Sequence, residues 1–356
     1  MANKKINFQH IKSFWFNKKI FITGHTGFKG SWLIILLNLL GAKIIGYSLA
    51  PKKNSLFNRA KLKKLMFKNY YNDVTDEKKL LNAIKNSKAK IVLHLAAQPI
   101  VSESFFYPVK TFNTNVLGTL NILNCIKKFK NIKSTLIITT DKVYKSKNKK
   151  TYSENDELGA DDPYGSSKVC AEYVTNSYIK SFFLKSGQKV STVRSGNVIG
   201  SGDISKNRLI PDIIRSIQNK KKLYVRNPRS IRPWQHVIEP NLGYLLLAQL
   251  QYKSKKNMPQ AWNFGPNKKN FKTVLQIIKK FNKVYNLKYA FLKKKIFSET
   301  KILKIRSLKA EKYLNWHSRW NLDQTINQII KWEMNVSNGA DVRKECENQI
   351  FDYLNN

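Results

Sequence analysis

A tyrosine and a lysine four residues apart could carry out proton transfer. Tyr164 and Lys168 lie in a helix-like segment that begins at Pro163, and positions i and i+4 of a helix share one face. A phenol with a pKa of about 10 is a weak base at neutral pH. A nearby ammonium group favours the phenolate and lowers that pKa, so the pair could take a proton from a hydroxyl group. The alternative interpretation is an ordinary exposed Tyr and Lys pair that has this spacing by chance.

A second group of reactive side chains follows an apolar run at 136–138. Thr140, Asp141 and Lys142 come just after this run, which is typical of a buried strand. Active-site groups of α/β proteins collect at the carboxyl ends of such strands. An aspartate there can act as a general acid, and a threonine hydroxyl can bond a substrate oxygen. A turn closed by an aspartate cap is the alternative interpretation.

Three glycines spaced three residues apart connect two apolar runs. Gly24, Gly27 and Gly30 lie between residues 20–22 and 31–37, an order that predicts a strand, a tight turn and a helix. A turn without Cβ atoms lets the backbone approach a pyrophosphate, and the helix N-terminus supplies N–H donors and a positive dipole end. The pattern predicts a dinucleotide-binding unit at the start of the chain, and a tight turn without a ligand is the alternative.

Alternating strand-like and helix-like segments must position these side chains. Such alternation predicts right-handed βαβ crossovers and an α/β fold with a Rossmann-like, doubly wound parallel sheet. Beyond residue 196 the pattern loosens, which predicts a smaller domain over the carboxyl ends of the strands. Strands are predicted at 20–23, 43–48, 69–73, 91–95, 135–140 and 190–195, and helices at 28–40, 76–86, 109–130, 163–186, 208–219, 239–252, 271–285 and 322–333.

Size, cysteine content and hydrophobicity limit the class of protein. The chain has 356 residues, of which 42% are hydrophobic, so it can bury a substantial core. Its three cysteines are odd in number and widely spaced, which predicts free thiols in a reducing cytosol and no metal site. The longest apolar run, 32–40, is far shorter than the ~20 residues of a membrane span, and the N-terminus lacks a signal-peptide core. We expect a soluble, cytoplasmic protein with no membrane partner.

The formal net charge of +43 has two explanations. Lysines and arginines in such numbers could neutralise nucleic-acid phosphates, which would suit a non-catalytic cofactor-binding regulator with a basic surface. The lysines are scattered, however, and Asn and Ile are also abundant, which is typical of biased composition on solvated surfaces. We favour biased composition and expect no nucleic-acid partner, although a positive field would still attract anionic substrates.

Together these segments resemble the extended branch of the short-chain dehydrogenase/reductase family, and within it the nucleotide-sugar 4,6-dehydratases, above all the group specific for CDP-glucose. The family's epimerases usually carry small residues where this chain has Asp141, the acid that a dehydratase needs for the departing C6 hydroxyl group. Lys142 replaces the glutamate base of the dTDP-glucose enzymes, as in the CDP-specific group. The matching segments are GHTGFKGSW (24–32), HLAAQPIV (94–101), TDKVY (140–144), DDPYGSSK (161–168), RSGNVIGSGD (194–203), RLIPD (208–212), RPWQHVIEP (232–240), WNFGP (262–266) and RWNLDQT (319–325).

The resemblance implies a hydro-lyase of deoxysugar biosynthesis, as for lipopolysaccharide O-antigen, that converts CDP-glucose to CDP-4-keto-6-deoxyglucose through bound NAD. Another 4,6-dehydratase or a 4-epimerase of the same family is the alternative. NADP is not excluded, because the strand at 44–48 lacks a terminal acid and Lys52 and Lys53 follow it. The resemblance also implies a homodimer through helices that include 163–186. The expected domains are an NAD-binding unit at 1–195 with a return segment near 233–264, and a substrate-binding unit at 196–232 and 265–356.

The resemblance further implies roles for individual residues. Tyr164, helped by Lys168 and Thr140, takes the C4 hydroxyl proton, and Asp141 protonates the leaving oxygen. Whether Lys142 removes the C5 proton or anchors substrate stays open at this point. The implied cofactor contacts are Gly24, His25, Thr26, Gly27, Phe28, Lys29, Gly30, Asp73, Val74, Leu95, Ala96, Ala97, Asn115, Tyr164 and Lys168. The implied substrate contacts are Gln98, Asn197, Arg208, Leu209, Ile210, Arg232 and His236.

Overall fold

Short apolar runs form the strands of a central parallel sheet. The computed structural model of the protein describes residues 8–146, 151–256, 258, 260–292 and 302–355. Within these ranges the strands are β1 (Lys19–Thr23), β2 (Lys43–Ser48), β3 (Lys68–Tyr71), β4 (Ile91–His94), β5 (Ser134–Ile138), β6 (Lys189–Ser195), β7 (Asn197–Ile199), β8 (Leu223–Val225), β9 (Ile231–His236), β10 (Ala261–Phe264), β11 (Phe271–Thr273) and β12 (Tyr289–Phe291).

The central sheet has seven strands in the order β10-β6-β5-β4-β1-β2-β3, and every neighbouring pair is parallel. The order reverses direction at β1, as in a doubly wound fold, so the predicted Rossmann-like α/β class is confirmed. Two smaller sheets lie in the later part of the chain. One joins β11, β9 and β7, and the other pairs β12 with β8.

Helices cover both faces of the sheet. Those of the described ranges are α1 (Phe8–Trp15), α2 (Phe28–Leu39), α3 (Leu56–Arg59), α4 (Glu77–Ser87), α5 (Val101–Phe106), α6 (Pro108–Phe112), α7 (Gly118–Lys127), α8 (Pro163–Tyr178), α9 (Leu184–Ser186), α10 (Leu209–Gln218), α11 (Ile238–Lys253), α12 (Val274–Asn282), α13 (Leu308–Leu314), α14 (Leu322–Ser337) and α15 (Val342–Asn355). A π-helical turn at Asn113–Leu117 joins α6 to α7, and another at Ile179–Phe183 joins α8 to α9.

Strand residues alternate between two hydrophobic cores. Ile20 and Ile22 of β1 pack on the side of α2 and α11, whereas Phe21 packs on the side of α4, α7 and α8. Burial on both faces explains why the strands are continuous apolar runs. A third core lies in the later part of the chain and joins α10, α12 and α14 to the smaller sheets.

The helix predicted at 271–285 begins later than expected. Phe271–Thr273 forms β11, which pairs antiparallel with β9, and the helix starts at Val274. Thr273 and Gln276 form a reciprocal capping box that fixes this start. The strand depends on a partner about forty residues earlier in the chain, so local sequence alone favoured a longer helix.

Three further features concern cysteines, membrane spans and metal ligands. Cys125, Cys170 and Cys346 are all free thiols. Across the described ranges, no helix has both the length and the apolar character required to cross a bilayer. The same residues contain no group of three or more His, Cys, Asp or Glu side chains arranged to hold a metal ion.

Candidate active site

A cavity of about 1430 Å³ opens at the carboxyl ends of the central strands, where parallel α/β sheets bind ligands. Residues that follow β1, β2, β3, β4, β5 and β6 all contribute to its wall. The site residues predicted from sequence that line it are Gly24, Thr26, Gly27, Phe28, Lys29, Gly30, Asp73, Val74, Leu95, Ala96, Ala97, Thr140, Asp141, Lys142, Tyr164, Lys168, Asn197, Arg208, Leu209, Ile210 and Arg232.

The glycine loop forms a close-fitting cradle at one end of this cavity. Gly24 has a φ of +72°, and a Cβ atom on it would lie 2.6 Å from the Ala96 nitrogen. A Cβ atom on Gly30 would lie 2.5 Å from the Gly24 carbonyl oxygen. Gly27 precedes α2 without a side-chain cap, so the first N–H groups of this helix are available to an anion. These features fit the pyrophosphate of a dinucleotide.

Substituting Gly30 by Ala tests this cradle. The new methyl group would meet backbone atoms that cannot move without opening the loop, so we expect cofactor affinity to fall about tenfold or more. Gly27→Ala is the matched control, because its Cβ atom would lie 3.3 Å from the Gly24 oxygen, a contact that a small shift relieves. Titration of tryptophan fluorescence with NAD measures both affinities. Equal affinity in the two variants would contradict the cradle.

Lys29 links the glycine loop to the centre of the cavity. Its Nζ donates hydrogen bonds to Ser195 Oγ at 2.8 Å and to the Tyr244 hydroxyl at 3.2 Å. Burial, followed by the positive charges of Arg208 and Lys168, lowers the pKa of Lys29 to about 7. The amine therefore exists in both protonation states near neutral pH.

The segment after β5 places an acid in the cavity wall. The Thr140 hydroxyl donates to Asp141 Oδ1 at 3.2 Å, and the Lys142 backbone N–H donates to the Thr140 oxygen at 3.3 Å. Asp141 Oδ2 is buried and has no hydrogen-bond partner within the described part of the chain. Burial raises the pKa of Asp141 to about 6, although Lys142 and the Thr140 hydroxyl act in the opposite direction. A carboxyl group with a free oxygen and this pKa suits a general acid.

The first turns of α8 hold the tyrosine and the lysine. Asp162 caps the helix by accepting the Gly165 N–H at 2.9 Å, and Pro163 occupies the first helical position. Tyr164 and Lys168 are both buried in the cavity wall. Lys168 Nζ donates to the Ile138 carbonyl oxygen at 3.1 Å, which ties α8 to the end of β5.

Burial has the largest effect on the pKa values of Tyr164 and Lys168. It raises the pKa of Tyr164 to about 12, and the groups that lower this pKa are the Thr140 hydroxyl and Arg208. Burial also lowers the pKa of Lys168 to about 8. The expectation of a lowered tyrosine pKa was therefore wrong for the protein alone, because loss of hydration outweighs the Thr140 hydrogen bond and the charge of Arg208.

A buried ion pair supports the catalytic segment from behind. Glu172 lies one turn after Lys168 and accepts hydrogen bonds from Arg194 Nε at 2.8 Å and from the Thr139 hydroxyl at 2.6 Å. Arg194 also donates to the Tyr144 hydroxyl at 2.9 Å. The pair thus connects α8, β6 and both ends of the segment that carries Thr140 and Asp141. Sequence reasoning did not predict it, since its members are far apart in the chain.

Two predicted histidines lie behind the cavity wall. His25 is fully buried, bonds Asn69 Oδ1 through Nε2 and packs edge-on against Phe57. His236 is also fully buried and lies between the rings of Trp32 and Trp320. Burial lowers the pKa of His25 to about 4 and that of His236 to about 3. The structure therefore makes both of them neutral packing residues and does not bring them to the cavity surface.

The predicted amide side chains of Gln98 and Asn115 lie behind the cavity wall and hold it in place through hydrogen bonds. Asn115 Oδ1 accepts the Gln98 backbone N–H at 2.8 Å, and Asn115 Nδ2 donates to Ser167 Oγ at 2.8 Å. Gln98 Nε2 donates to Thr111 Oγ1 at 2.9 Å. These bonds join the segment after β4 to α8, so both amides position the wall and do not line the cavity.

The far end of the cavity carries guanidinium groups suited to a diphosphate. Arg208 donates to Asp203 Oδ2 and to the Pro99 carbonyl oxygen, both at 3.3 Å. Arg232 lines the same end from β9 and is almost fully buried. Planar guanidinium groups bind phosphate oxygens in pairs, which fits these positions to a nucleotide diphosphate.

Sequence reasoning missed several lining residues. Ser195 and Asp203 lie within a segment that carried the family resemblance, so that segment was the available signal. Tyr224 and Arg226 line the cavity from the strand β8 and the residue after it. These two residues are two positions apart, so a strand would place them on the same face. The strand is hard to predict from sequence, because β8 is only three residues long and follows a run of lysines.

Comparisons with known proteins agree with this geometry. The family model for GDP-mannose 4,6 dehydratase matches residues 21–329. The CDP-glucose 4,6-dehydratase of Salmonella typhimurium is 42% identical over 352 residues, which cover 96% of this chain and 98% of that protein.

Solved structures share the fold. A dTDP-glucose 4,6-dehydratase from Bacillus anthracis in complex with NAD superposes with a TM-score of 0.76 at 20% identity, covering 92% of this chain and 99% of that one. A UDP-glucose 4-epimerase from Thermotoga maritima with UDP-glucose reaches 0.78 at 20% identity, with coverage of 89% and 99%. The family match extends over most of the chain, and the resemblance inferred from its motifs is confirmed. The chain belongs to the GDP-mannose 4,6-dehydratase family of extended short-chain dehydrogenase/reductases.

Proposed function

We propose that this protein is a CDP-glucose 4,6-dehydratase that uses bound NAD and releases CDP-4-keto-6-deoxyglucose and water. The observation that carries the proposal is Asp141, which lines the cavity together with Tyr164 and Lys168 and whose buried Oδ2 has no hydrogen-bond partner among the described residues. The 42% identity to a CDP-glucose enzyme across nearly the full length supports the choice of nucleotide. The glycine cradle and the uncapped N-terminus of α2 would hold the cofactor pyrophosphate.

The cofactor, when bound, supplies a reversible hydride acceptor that makes the overall reaction redox-neutral. Tyr164 would take the proton of the C4 hydroxyl group, assisted by the Thr140 hydroxyl that already lowers its pKa. Lys168 would stabilise the phenolate and bind the cofactor ribose. The 4-ketone acidifies C5–H and allows water to leave from C5 and C6.

Two adjacent residues would carry out the elimination. Asp141 would donate its proton to the C6 oxygen as water leaves, and burial keeps part of this carboxyl group protonated near neutral pH. We assign removal of the C5 proton to the unprotonated amine of Lys142, which lines the cavity next to Asp141 and would leave this step as an ammonium group. A 4-epimerase needs neither an acid at C6 nor a base at C5, so these two residues favour dehydration.

Parallel turnover assays test the nucleotide assignment. The purified protein with NAD is incubated with CDP-, dTDP-, GDP- and UDP-glucose at equal concentration, and the products are separated and weighed by mass spectrometry. We expect loss of one water, with kcat/KM for CDP-glucose at least about tenfold above the other substrates, a difference of roughly 1.4 kcal/mol in transition-state binding. A higher value for another nucleotide would reassign the substrate.

We also propose that the protein is cytoplasmic and forms a homodimer. The interface would be built by α6, α7 and α8. The faces of α6, α8 and α9 and of the two π-helical turns expose apolar side chains that a second copy could cover: Val109, Leu117, Tyr173, Phe182 and Leu184. We retain the proposed division into an NAD-binding unit at 1–195 with a return near 233–264, and a substrate-binding unit in the remaining ranges. The strand β10, which lies beside β6 in the central sheet, supports that return.

Charged substitutions on these helices test the dimer. Sedimentation of the parent protein is expected to give twice the chain mass, and the double change Tyr173→Glu and Leu184→Glu is expected to give the single chain, because two carboxylates would be buried in an apolar interface. Tyr71→Glu, at an exposed site on β3, is the control and should remain dimeric. A dimer in the double variant would contradict this interface.

A further inference from the structure

One end of the cofactor cavity is formed by residues at and just after the end of β2. Ser48, Leu49 and Lys52 line the cavity there. Thr26 of the glycine loop fixes this segment, since its hydroxyl bonds Ser48 Oγ at 2.8 Å and donates to the Leu49 carbonyl oxygen at 3.0 Å. In dinucleotide-binding units the residues about 20 positions after the glycines contact the adenosine ribose. These residues therefore face the ribose of a dinucleotide held by the glycine loop.

In the part of the chain that the structure describes, no carboxylate lines the ribose end of the cavity. Among the described residues the cavity is lined by four acidic side chains, and none follows β2. Asp141 belongs to the catalytic segment, Asp203 binds Arg208, and Asp212 binds Arg215. The fourth, Asp73, follows β3, and its Oδ1 accepts both the backbone N–H and the hydroxyl of Thr75 at 2.9 Å.

Charge at this position decides which dinucleotide fits. A carboxylate accepts a hydrogen bond from a ribose 2′-hydroxyl group and repels a 2′-phosphate, whereas an ammonium group attracts that phosphate. Here a serine hydroxyl and the lysine at 52 occupy the end where the carboxylate would stand. Nothing in a redox-neutral cycle selects between the two cofactors, because the cofactor leaves each turnover in the oxidation state in which it entered.

We propose that this site also accepts a dinucleotide with a 2′-phosphate, so the protein binds NADP as well as NAD, and that Lys52 is the specificity-determining residue. This inference rests on the proposed function for the placement of the cofactor. It concerns binding, and binding can be measured on the purified protein without turnover.

Two neighbouring lysines provide a matched test. Both side chains are exposed, but only Lys52 lines the cavity. Isothermal titration of the parent protein should give dissociation constants for NADP and NAD within about tenfold of each other. Lys52→Glu should weaken NADP about tenfold or more and change NAD less than about threefold, as expected for loss of one charge-assisted contact. Lys53→Glu, with the same change in net charge, should leave both constants close to the parent values.

A second pair of variants tests the same site by introducing a carboxylate instead of replacing the lysine. Leu49→Asp places a carboxylate at the end of β2 and should weaken NADP about tenfold or more relative to NAD, whereas Leu49→Asn should not. NADP binding more than about 100-fold weaker than NAD in the parent protein would overturn the inference. Equal effects of Lys52→Glu and Lys53→Glu would also overturn it, because they would indicate a general field and not a contact.

These outcomes are separate from those of the proposed function. The expected binding pattern in a protein that turns over no nucleotide sugar would support the inference and refute the dehydratase. Turnover of CDP-glucose with NAD, in a protein that does not bind NADP, would support the dehydratase and refute the inference.

Discussion

Substitution of Asp141 by Asn is expected to reduce kcat for dehydration about 10²–10⁴-fold, the range over which general acids contribute. The amide preserves the shape of the side chain but has no acidic proton to give to the departing C6 oxygen. Tyr164 is retained in this variant, and loss of the Asp141 charge removes one influence that raises its pKa, so oxidation at C4 should still occur. We therefore expect reduced cofactor to accumulate in a single-turnover experiment followed by nicotinamide absorbance.

The control for this variant is Asp161→Asn, which alters an exposed carboxyl group outside the cavity and should leave kcat unchanged. The pH dependence provides an independent check. The pKa of Asp141 in the folded protein is raised to about 6, so the acid form is present below that pH and decreases about tenfold per pH unit above it. The elimination rate should fall accordingly in the parent protein and lose this dependence in Asp141→Asn. Turnover above one tenth of the parent value in this variant would remove Asp141 from the mechanism.

Substitution of Glu172 by Gln is expected to lower the free energy of unfolding by about 3–5 kcal/mol, because it leaves the buried guanidinium of Arg194 without its counter-charge. Both side chains are almost fully buried, so water cannot replace the lost partner. Burial acts to raise the pKa of Glu172, but the hydrogen bond and charge of Arg194, together with the hydrogen bonds of Thr139 and Thr192, outweigh it, so the pKa is lowered in the folded state. Its contribution is therefore complete at neutral pH and is lost as the pH falls through that lowered value.

Urea denaturation of the parent and variant at neutral pH measures this effect. Glu157→Gln is the matched control, since Glu157 pairs with Lys145 at 2.7 Å but both side chains are about half exposed. A pair of that kind contributes less than about 1 kcal/mol. If Glu172→Gln were as mild as Glu157→Gln, the buried pair would not be the support of the catalytic segment that its contacts indicate.

Local patterns predicted the frame of the fold and the centre of the site. The strands β1 to β6 were predicted within a few residues, and so was the start of α8 at Pro163, because apolar runs and a proline at a helix start are local signals. The single helix predicted at 163–186 is in fact α8, a π-helical turn and α9. Tyr164, Lys168 and Asp141 were predicted because strand ends and helix starts of α/β sheets collect at one edge. The glycine spacing predicted the cradle for the same reason.

Other features depend on contacts that no local pattern encodes. His25 and His236 belonged to motifs that suggested ligand contact, yet neighbouring aromatic rings enclose both of them. The strand β11 forms because β9 offers a free edge, and a window of sequence around Phe271 cannot reveal that edge. The Glu172–Arg194 pair joins residues from different elements. The pKa of Tyr164 departs from the expected direction because Tyr164 itself is buried, and its burial depends on the packing of the whole site.

The central claim is that one site oxidises C4, eliminates water across C5 and C6, and reduces C6 with the same hydride. CDP-glucose carrying deuterium at C4 tests it directly with the purified protein and NAD, and mass spectrometry with NMR locates the label in the product. The account predicts a product lighter by one water, with the deuterium at C6. A product of unchanged mass with an inverted C4 centre, or a dehydrated product without deuterium, would contradict it.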